Sequence, residues 1–161
     1  MAELKLADYD PARVLLFEAE SAQIAEALGE AARQIEHVGS TAVPGLAGKP
    51  TVDIAVGVDS IELSSELVES LTAAGFEHHV DPGRPWEMRF VKGTVFPRDV
   101  IVHIVELGGS RWREFLRFRD ELRADPRLAA EYEQLKRGLL ERGEWYRGED
   151  KKELIERVLN A

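Results

Sequence analysis

The stretch HVGSTAVPGLAGKPTVDIAV, residues 37–56, decides how this chain folds. It begins with a Gly-Ser pair at Gly39 and Ser40 and ends in a run of alternating apolar residues. Alternation over residues 51–58 predicts a β-strand that points Val52 to one face and Asp53 to the other. Small residues, a lysine and an acid at this spacing are typical of loops that bind phosphate.

Two well-known phosphate loops do not fit this stretch. A P-loop needs a glycine five positions before its Gly-Lys pair and a hydroxyl residue after the lysine. Here Val43 occupies the glycine position, and Pro50 follows Lys49. The G-x-G-x-x-G fingerprint of dinucleotide-binding proteins is also missing. What remains is a strand, a glycine turn, a loop, and a second strand that carries Asp53.

The rest of the sequence predicts a mixed sheet followed by helices. Apolar residues recur at helical spacing over residues 11–28 and 60–74. Strand character appears in RQIEHV (33–38), FEHHV (76–80), WEMRFVKG (86–93) and RDVIVHIVE (98–106). Helical stripes return over residues 112–122, 128–139 and 154–159, with Pro126 placed to open the second of them. We therefore predict an α/β (α+β) fold, a mixed sheet with flanking helices and a helical C-terminal segment.

Composition narrows the class of protein. The chain has 161 residues and a net charge of −9, which argues against coating nucleic acid by bulk electrostatics. It contains no cysteine, so disulfides and thiolate metal sites are excluded. No long apolar run and no signal core appear, and we expect a cytoplasmic protein without membrane association.

Several segments together resemble the GrpB family, within the nucleotidyltransferase-like superfamily. They are EHVGSTAVPGLAGKPTVDIAV (36–56), VHIVE (102–106), FLRFRDELRADPRLAAEYEQLKRGL (115–139) and YRGEDKKELIERVL (146–159). The resemblance covers nearly the whole chain and implies one nucleotidyltransferase-like domain over residues 1–161. It implies no particular reaction. Some relatives are fused to dephospho-CoA kinase, which hints at a link to cofactor metabolism.

The Gly-Ser turn is where we expect a phosphate-bearing ligand. Gly39 lets the backbone approach a ligand closely, and Ser40 can offer its hydroxyl beside backbone N–H groups. His37 lies next to the turn and is predicted to support it. The residues predicted to bind phosphate or nucleotide are Gly39, Ser40, Thr41, Lys49, Arg89 and Lys92.

Asp53 and His103 are the predicted catalytic residues and the predicted metal ligands. A two-metal transferase needs about three converging carboxylates. The second position of the acid-x-acid strand is Ala55, which cannot bind a metal. The family commonly shows His-x-His on the later strand, where this chain has Ile101 and His103. A divalent ion, Mg²⁺ or Mn²⁺, is therefore an open expectation.

Structural roles compete with each of these assignments. Asp53 can accept backbone N–H groups of the glycine turn, and His103 can be a hydrogen-bonded core histidine. Lys49 can be a solvated loop lysine, and Arg89 and Lys92 can pair with glutamates on the surface.

Three functions follow from these alternatives. The first is metal-assisted transfer of a nucleotidyl or phosphoryl group to a small acceptor. The second is a catalytically inactive module that binds a nucleotide or phosphate, which Ala55 favours. The third is a protein-interaction domain that uses the C-terminal helices and the acidic surface. A single site requires Asp53 and His103 to lie on one face of the sheet, on neighbouring strands, whereas the binding module keeps the glycine loop and has lost the metal ligands.

Overall fold

The computed structural model describes residues 5–93, 98–143 and 149–160 of the chain. Helices and strands alternate through the first two-thirds, and three helices follow. In chain order they are α1 (Ala12–Leu28), β1 (Gln34–Val38), β2 (Val52–Val58), α2 (Ser65–Ala73), β3 (Glu77–His79), β4 (Glu87–Lys92), β5 (Val100–Glu106), α3 (Ser110–Ala124), α4 (Pro126–Glu141) and α5 (Glu149–Leu159).

The five strands form one mixed sheet in the order β1-β2-β5-β4-β3. Strands β2 and β5 run parallel at its centre, and the other neighbours pair antiparallel. Both central strands are almost entirely buried, as is usual for strands covered on both faces. The predicted mixed sheet is confirmed, and so is the prediction that β2 adjoins β5.

Each face of the sheet packs against a different set of helices. On one face, Val52, Ile54 and Val56 form a core with Ile24 of α1 and Leu71 of α2. On the other face the sheet packs against α3, and the glycine-rich loop after β1 packs against α3 and α4. The buried residues of those two smaller clusters are Val38, Ala55, Val105 and Trp112, and Val43, Leu46 and Leu122. Strand alternation therefore separates an apolar face from the face that carries Asp53.

The structure shortens one predicted element. The helix expected over residues 60–74 begins at Ser65, because the side chain of Ser64 accepts a hydrogen bond from Leu67 N at 3.3 Å and caps it there. Gly75, at φ +97°, follows the helix end as predicted. Within the described ranges, the helices are too short or too polar to cross a membrane.

Candidate functional site

Asp53 and His103 meet on one face of the sheet, as strand alternation predicted. Parallel pairing of β2 with β5 sets His103 opposite Ala55, two residues beyond Asp53, so the three side chains project to the same side. The Nε2 atom of His103 lies 3.0 Å from Oδ1 of Asp53. The predicted single-site geometry is confirmed, and the chemical roles of the two residues stay predictions.

Glu87 completes this group and was not predicted. It lies at the start of β4, and its Oε2 is 3.0 Å from Nδ1 of His103. Its side chain is only 1% exposed. Glu87 and Arg89 stand two residues apart, so strand alternation puts them on the same face of β4, and this spacing was the signal in the sequence. The result is a continuous chain of hydrogen bonds from Glu87 through His103 to Asp53.

The two carboxylates favour the charged form of His103. Burial lowers the pKa of His103, but the hydrogen bonds and charges of Asp53 and Glu87 outweigh it, and the pKa lies above the ordinary value. Burial likewise raises the pKa of Glu87, but the hydrogen bond and charge of His103 bring it down to about 2. An imidazolium donates from both ring nitrogens, which matches a partner on each side.

The glycine turn sits directly over Asp53. Gly39 has φ 77° and ψ −174°, a backbone region essentially confined to glycine. A Cβ at this position would lie 2.6 Å from Oδ2 of Asp53. Gly39 is the N-cap residue of the short helical turn Ser40–Ala42. The close approach predicted for Gly39 is therefore made to the carboxylate of Asp53 within the protein itself.

Lys136 of α4 fixes the loop and is a second residue that sequence reasoning missed. Its Nζ donates to Ser40 Oγ and to the carbonyl of Ala47, each at 2.8 Å. The residue is 2% exposed, and burial with the charge of Lys151 lowers its pKa to about 7. Lys136 lies four residues after Tyr132, on the apolar stripe of α4. A lysine within an apolar stripe was the feature of the sequence that indicated a buried lysine.

A cleft of about 320 Å³ opens above the Asp53–His103 pair, between the sheet and the C-terminal helices. Its volume falls within the range of small-molecule sites, roughly 300–1,000 Å³. Gly39, Asp53 and His103 contribute its floor. Helices α3, α4 and α5 contribute Arg111, Glu114, Phe115, Phe118, Tyr132, Lys151, Ile155 and Leu159. The cleft thus combines aromatic rings with groups of both charges.

His37 and Thr41 bond to each other at the glycine turn, and His37 pairs in register with Ile54, so its ring lies on the face of the sheet opposite Asp53. His37 Nε2 is 2.8 Å from Thr41 Oγ1, and its ring stacks on Phe17 of α1 at 4.8 Å between centroids. Thr41 also donates to the carbonyl of Thr51 at 3.4 Å. These contacts are made within the protein, and the supporting role predicted for His37 stays a prediction. Thr41 is buried and engaged with the protein, which leaves its predicted phosphate contact without support from the geometry.

His37 is expected to make the protein less stable in mild acid. Burial lowers its pKa from 6.5 to about 4, so the unfolded state binds a proton more readily than the folded state between these values. Stability should therefore fall as the pH drops from 6.5 to 4, by up to about 1.4 kcal/mol per pH unit from this residue. Urea unfolding of His37→Gln over this interval should show a shallower decline. An unchanged slope would contradict the assignment.

The three predicted cations occupy different places. Arg89 faces the site and donates to Glu87 at 3.0 Å. Lys92 lies on the opposite face, where it pairs with Glu20 of α1 at 2.9 Å, because positions 89 and 92 differ by an odd number on one strand. The structure therefore does not bring Lys92 to the cleft. Lys49 lies in the loop beside Gly48 and contributes to the electrostatics of Lys136 and Lys151.

The side chains at this site that could bind metal ions match those of a two-metal transferase poorly. Across residues 5–93, 98–143 and 149–160 no group of three or more His, Cys, Asp or Glu side chains is placed to hold one ion. Ala55 supplies no ligand, and both ring nitrogens of His103 already face carboxylates. Asp53 and His103 could together hold at most a single ion, completed by a ligand.

Comparison with known proteins gives consistent matches along the chain. The family described as GrpB protein matches residues 3–161. A UPF0157 protein of Streptomyces coelicolor is 44% identical over 140 residues, which cover 86% of this chain and 72% of that protein. The crystal structure of the conserved protein GrpB from Enterococcus faecalis superposes with a TM-score of 0.86 at 30% identity, covering 97% of this chain and 98% of the other.

A more distant likeness concerns the fold alone. The Cid1 poly(U) polymerase, in a crystal structure bound to MgATP, matches with a TM-score of 0.54 at 16% identity. The match covers 80% of this chain and 43% of the polymerase. The predicted nucleotidyltransferase-like fold is confirmed by this likeness.

Proposed function

Because the chain belongs to the GrpB family and shares its fold with nucleotidyltransferases, we propose that it binds a nucleotide or another phosphate-bearing small molecule in the cleft over β2 and β5. The observation that carries the proposal is the composition of this one cleft. The Asp53–His103 pair lies at its floor, aromatic rings line its wall, and Arg111 and Lys151 supply positive charge.

Each part of a nucleotide finds a complementary surface in the cleft. Arg111 lies over the ring of Phe115 and Lys136 over that of Tyr132, which leaves Phe118 as the cleft ring on which a base can stack. Base–aromatic stacking contributes about 1–3 kcal/mol per base. Arg111 lies over the ring of Phe115 at 4.7 Å, which holds its guanidinium at the wall of the cleft. Arginine binds phosphate through paired N–H donors. The Gly39–Ser40 turn then receives the phosphate end.

The small number of metal-binding side chains in the cleft favours ligand binding without a metal ion. With Ala55 in place of a second carboxylate, the charge of the ligand would be neutralised by Arg111 and Lys151, since both ring nitrogens of His103 already face carboxylates. In this form the chain is a binding module on a transferase fold, and the acid–base group at the floor orients the ligand.

Metal-assisted transfer is the second candidate, and the placement of Glu87 favours it. A carboxylate on Nδ1 of a histidine commonly orients the ring so that Nε2 can bind a metal. His103 has this arrangement, with Glu87 on Nδ1 and Asp53 beside Nε2. Asp53 and His103 would then hold one Mg²⁺ or Mn²⁺, which would neutralise developing charge on a phosphate.

Calorimetric titration with ATP and with dephospho-CoA tests the proposal. We expect binding in the presence of EDTA, and about tenfold weaker binding in Arg111→Gln, since loss of one charged hydrogen bond costs about 1.5 kcal/mol. Arg113→Gln is the matched control, because Arg113 is exposed on the same helix. It should bind within twofold of the unchanged protein.

The metal dependence of the same titration separates the two candidates. Binding that appears only with Mg²⁺ or Mn²⁺ and is lost in Asp53→Asn favours transfer over the binding module. Absence of binding to either ligand, with and without metal, would contradict both candidates and favour the protein-interaction domain.

A further inference from the structure

Three lysines from three separate segments converge beside the glycine turn. Lys136 comes from α4 and donates to Ser40 Oγ at 2.8 Å. Lys151 comes from α5 and lines the cleft that contains Gly39 and Asp53. Lys49 follows Gly48, where an added Cβ would lie 3.0 Å from Lys136 Nζ. We call these three residues the lysine cluster.

The cluster places positive charges close together in a partly buried environment. Burial and then the charge of Lys151 lower the pKa of Lys136, and burial and then the charge of Lys49 lower the pKa of Lys151. The charge of the nearby Glu133 raises the pKa of Lys136, but it does not cancel the lowering by burial and Lys151. Its carboxylate also accepts the N–H of Ala47 at 2.7 Å. A bound anion would relieve this repulsion.

Ser40 connects Lys136 to the glycine turn, and its neighbour Gly39 lies at the floor of the cleft. Its Oγ accepts a hydrogen bond from the Lys136 ammonium, so the hydroxyl proton remains available as a donor to another acceptor. Lys136 thereby sets the orientation of this hydroxyl group. A phosphate oxygen at the turn would meet the Ser40 proton and the Lys151 ammonium together.

Helix α5 brings Lys151 to this position through long-range contacts. Arg117 of α3 donates to the carbonyl of Leu159 at 2.7 Å, which ties the end of α5 to α3. Ile155 and Leu159 of the same helix line the cleft alongside Lys151. Docking of α5 on α3 therefore places a cation at the wall of the cleft.

We propose that the lysine cluster binds a diphosphate group of the ligand directly, with Lys151 in contact with the phosphate, Lys136 positioning Ser40, and the cluster replacing the metal ions of a two-metal site. This proposal rests on the proposed function for the place of the ligand. A diphosphate group fits because its multiple negative charges can be shared among several ammonium groups, each of which acts as a point charge. Such a replacement agrees with Ala55, which stands where a two-metal site has its second carboxylate.

Titration with inorganic pyrophosphate in the presence of EDTA tests the proposal without any nucleoside. We expect the unchanged protein to bind pyrophosphate, and Lys151→Gln to bind it at least tenfold more weakly. Lys152→Gln is the matched control, since Lys152 is the next residue of α5 and its side chain is 76% exposed. It should bind within twofold. Lys151→Arg should retain most of the affinity, which verifies that the charge at this position is what matters.

The role of Lys136 needs a variant pair, because a buried lysine also contributes to folding. Ser40→Ala should weaken pyrophosphate binding about tenfold, whereas Ser40→Thr, which keeps the hydroxyl group, should retain it. Equal affinities in Ser40→Ala and Ser40→Thr would overturn the positioning role.

Two results would overturn the inference as a whole. One is equal pyrophosphate affinity in Lys151→Gln and Lys152→Gln. The other is pyrophosphate binding that requires Mg²⁺. ATP that binds equally well to Lys151→Gln would refute the cluster and leave the proposed function intact. Pyrophosphate that binds through Lys151 while neither ATP nor dephospho-CoA binds would support the cluster and refute the nucleotide proposal.

Discussion

Glu87→Gln is expected to lower the free energy of unfolding at pH 7 by about 3–5 kcal/mol, the usual cost of removing one partner from a buried ion pair. The Glu87 carboxylate is almost fully enclosed and contacts both His103 and Arg89 at 3.0 Å. An amide in its place would leave the imidazolium with Asp53 as its remaining carboxylate. It would also remove the charge partner of Arg89, whose Nε atom is already buried without a hydrogen bond.

Urea unfolding of Glu87→Gln and a control variant measures this effect. Glu114→Gln is the control, because Glu114 pairs with Arg111 on a half-exposed surface and should cost less than about 1 kcal/mol. Combining Glu87→Gln with His103→Asn should cost less than the sum of the single changes, since the double variant leaves no uncompensated imidazolium. Equal losses in Glu87→Gln and Glu114→Gln would mean that the buried pair contributes nothing.

The stability difference between the unchanged protein and Glu87→Gln should also depend on pH, which gives an independent measure of the ion pair. The pKa of Glu87 is about 2 in the folded protein and 4.5 in its reference state. The folded state therefore binds this proton less readily, and the stabilisation is complete above pH 4.5. It should decline as the pH falls toward 2, so that the unchanged protein and Glu87→Gln converge in acid.

Strand alternation is the reason that part of the site could be predicted from sequence. Asp53 and His103 each interrupt a run of apolar residues, and a period of two assigns each to a face without knowledge of the partner strand. The adjacency of β2 and β5 then follows from the burial of both strands. The same rule separates Lys92 from the site, because its distance of three residues from Arg89 places the two on opposite faces of the strand.

Contacts between segments that are distant in sequence set the limit of that prediction. Lys136 reaches Ser40 across 96 residues, and its own helix shows only a stripe interrupted by a lysine. Glu87 meets His103 because β4 pairs antiparallel with β5, and the register of that pairing is not encoded in either strand alone. Docking of α3, α4 and α5 builds the cleft wall, so Arg111, Tyr132 and Lys151 could not be assigned to a site beforehand.

The Gly39–Asp53 contact is where the glycine loop and the floor of the cleft depend on each other. Gly39→Ala is expected to cost about 2–5 kcal/mol of unfolding free energy, from backbone strain and from overpacking against the carboxylate. A Cβ on residue 39 would lie 2.6 Å from Oδ2 of Asp53 and 3.1 Å from its Cβ. Two protein groups cannot share that space, so the turn or the carboxylate must move.

Gly45→Ala separates backbone strain from this contact. Gly45 has φ 82°, close to the 77° of Gly39, and an added Cβ there would meet nothing within 4 Å. Gly45→Ala should lower the free energy of unfolding by about 1–2 kcal/mol, which is the strain of a left-handed residue alone. In a double-mutant cycle, the cost of Gly39→Ala should be at least about 1 kcal/mol smaller in an Asp53→Ala background than in the unchanged protein, because the contacting carboxylate is gone, whereas the cost of Gly45→Ala should be the same in both backgrounds. Chemical unfolding of the five variants measures both differences. If Gly39→Ala and Gly45→Ala lost the same stability and neither responded to Asp53→Ala, the turn would not be packed on the site carboxylate.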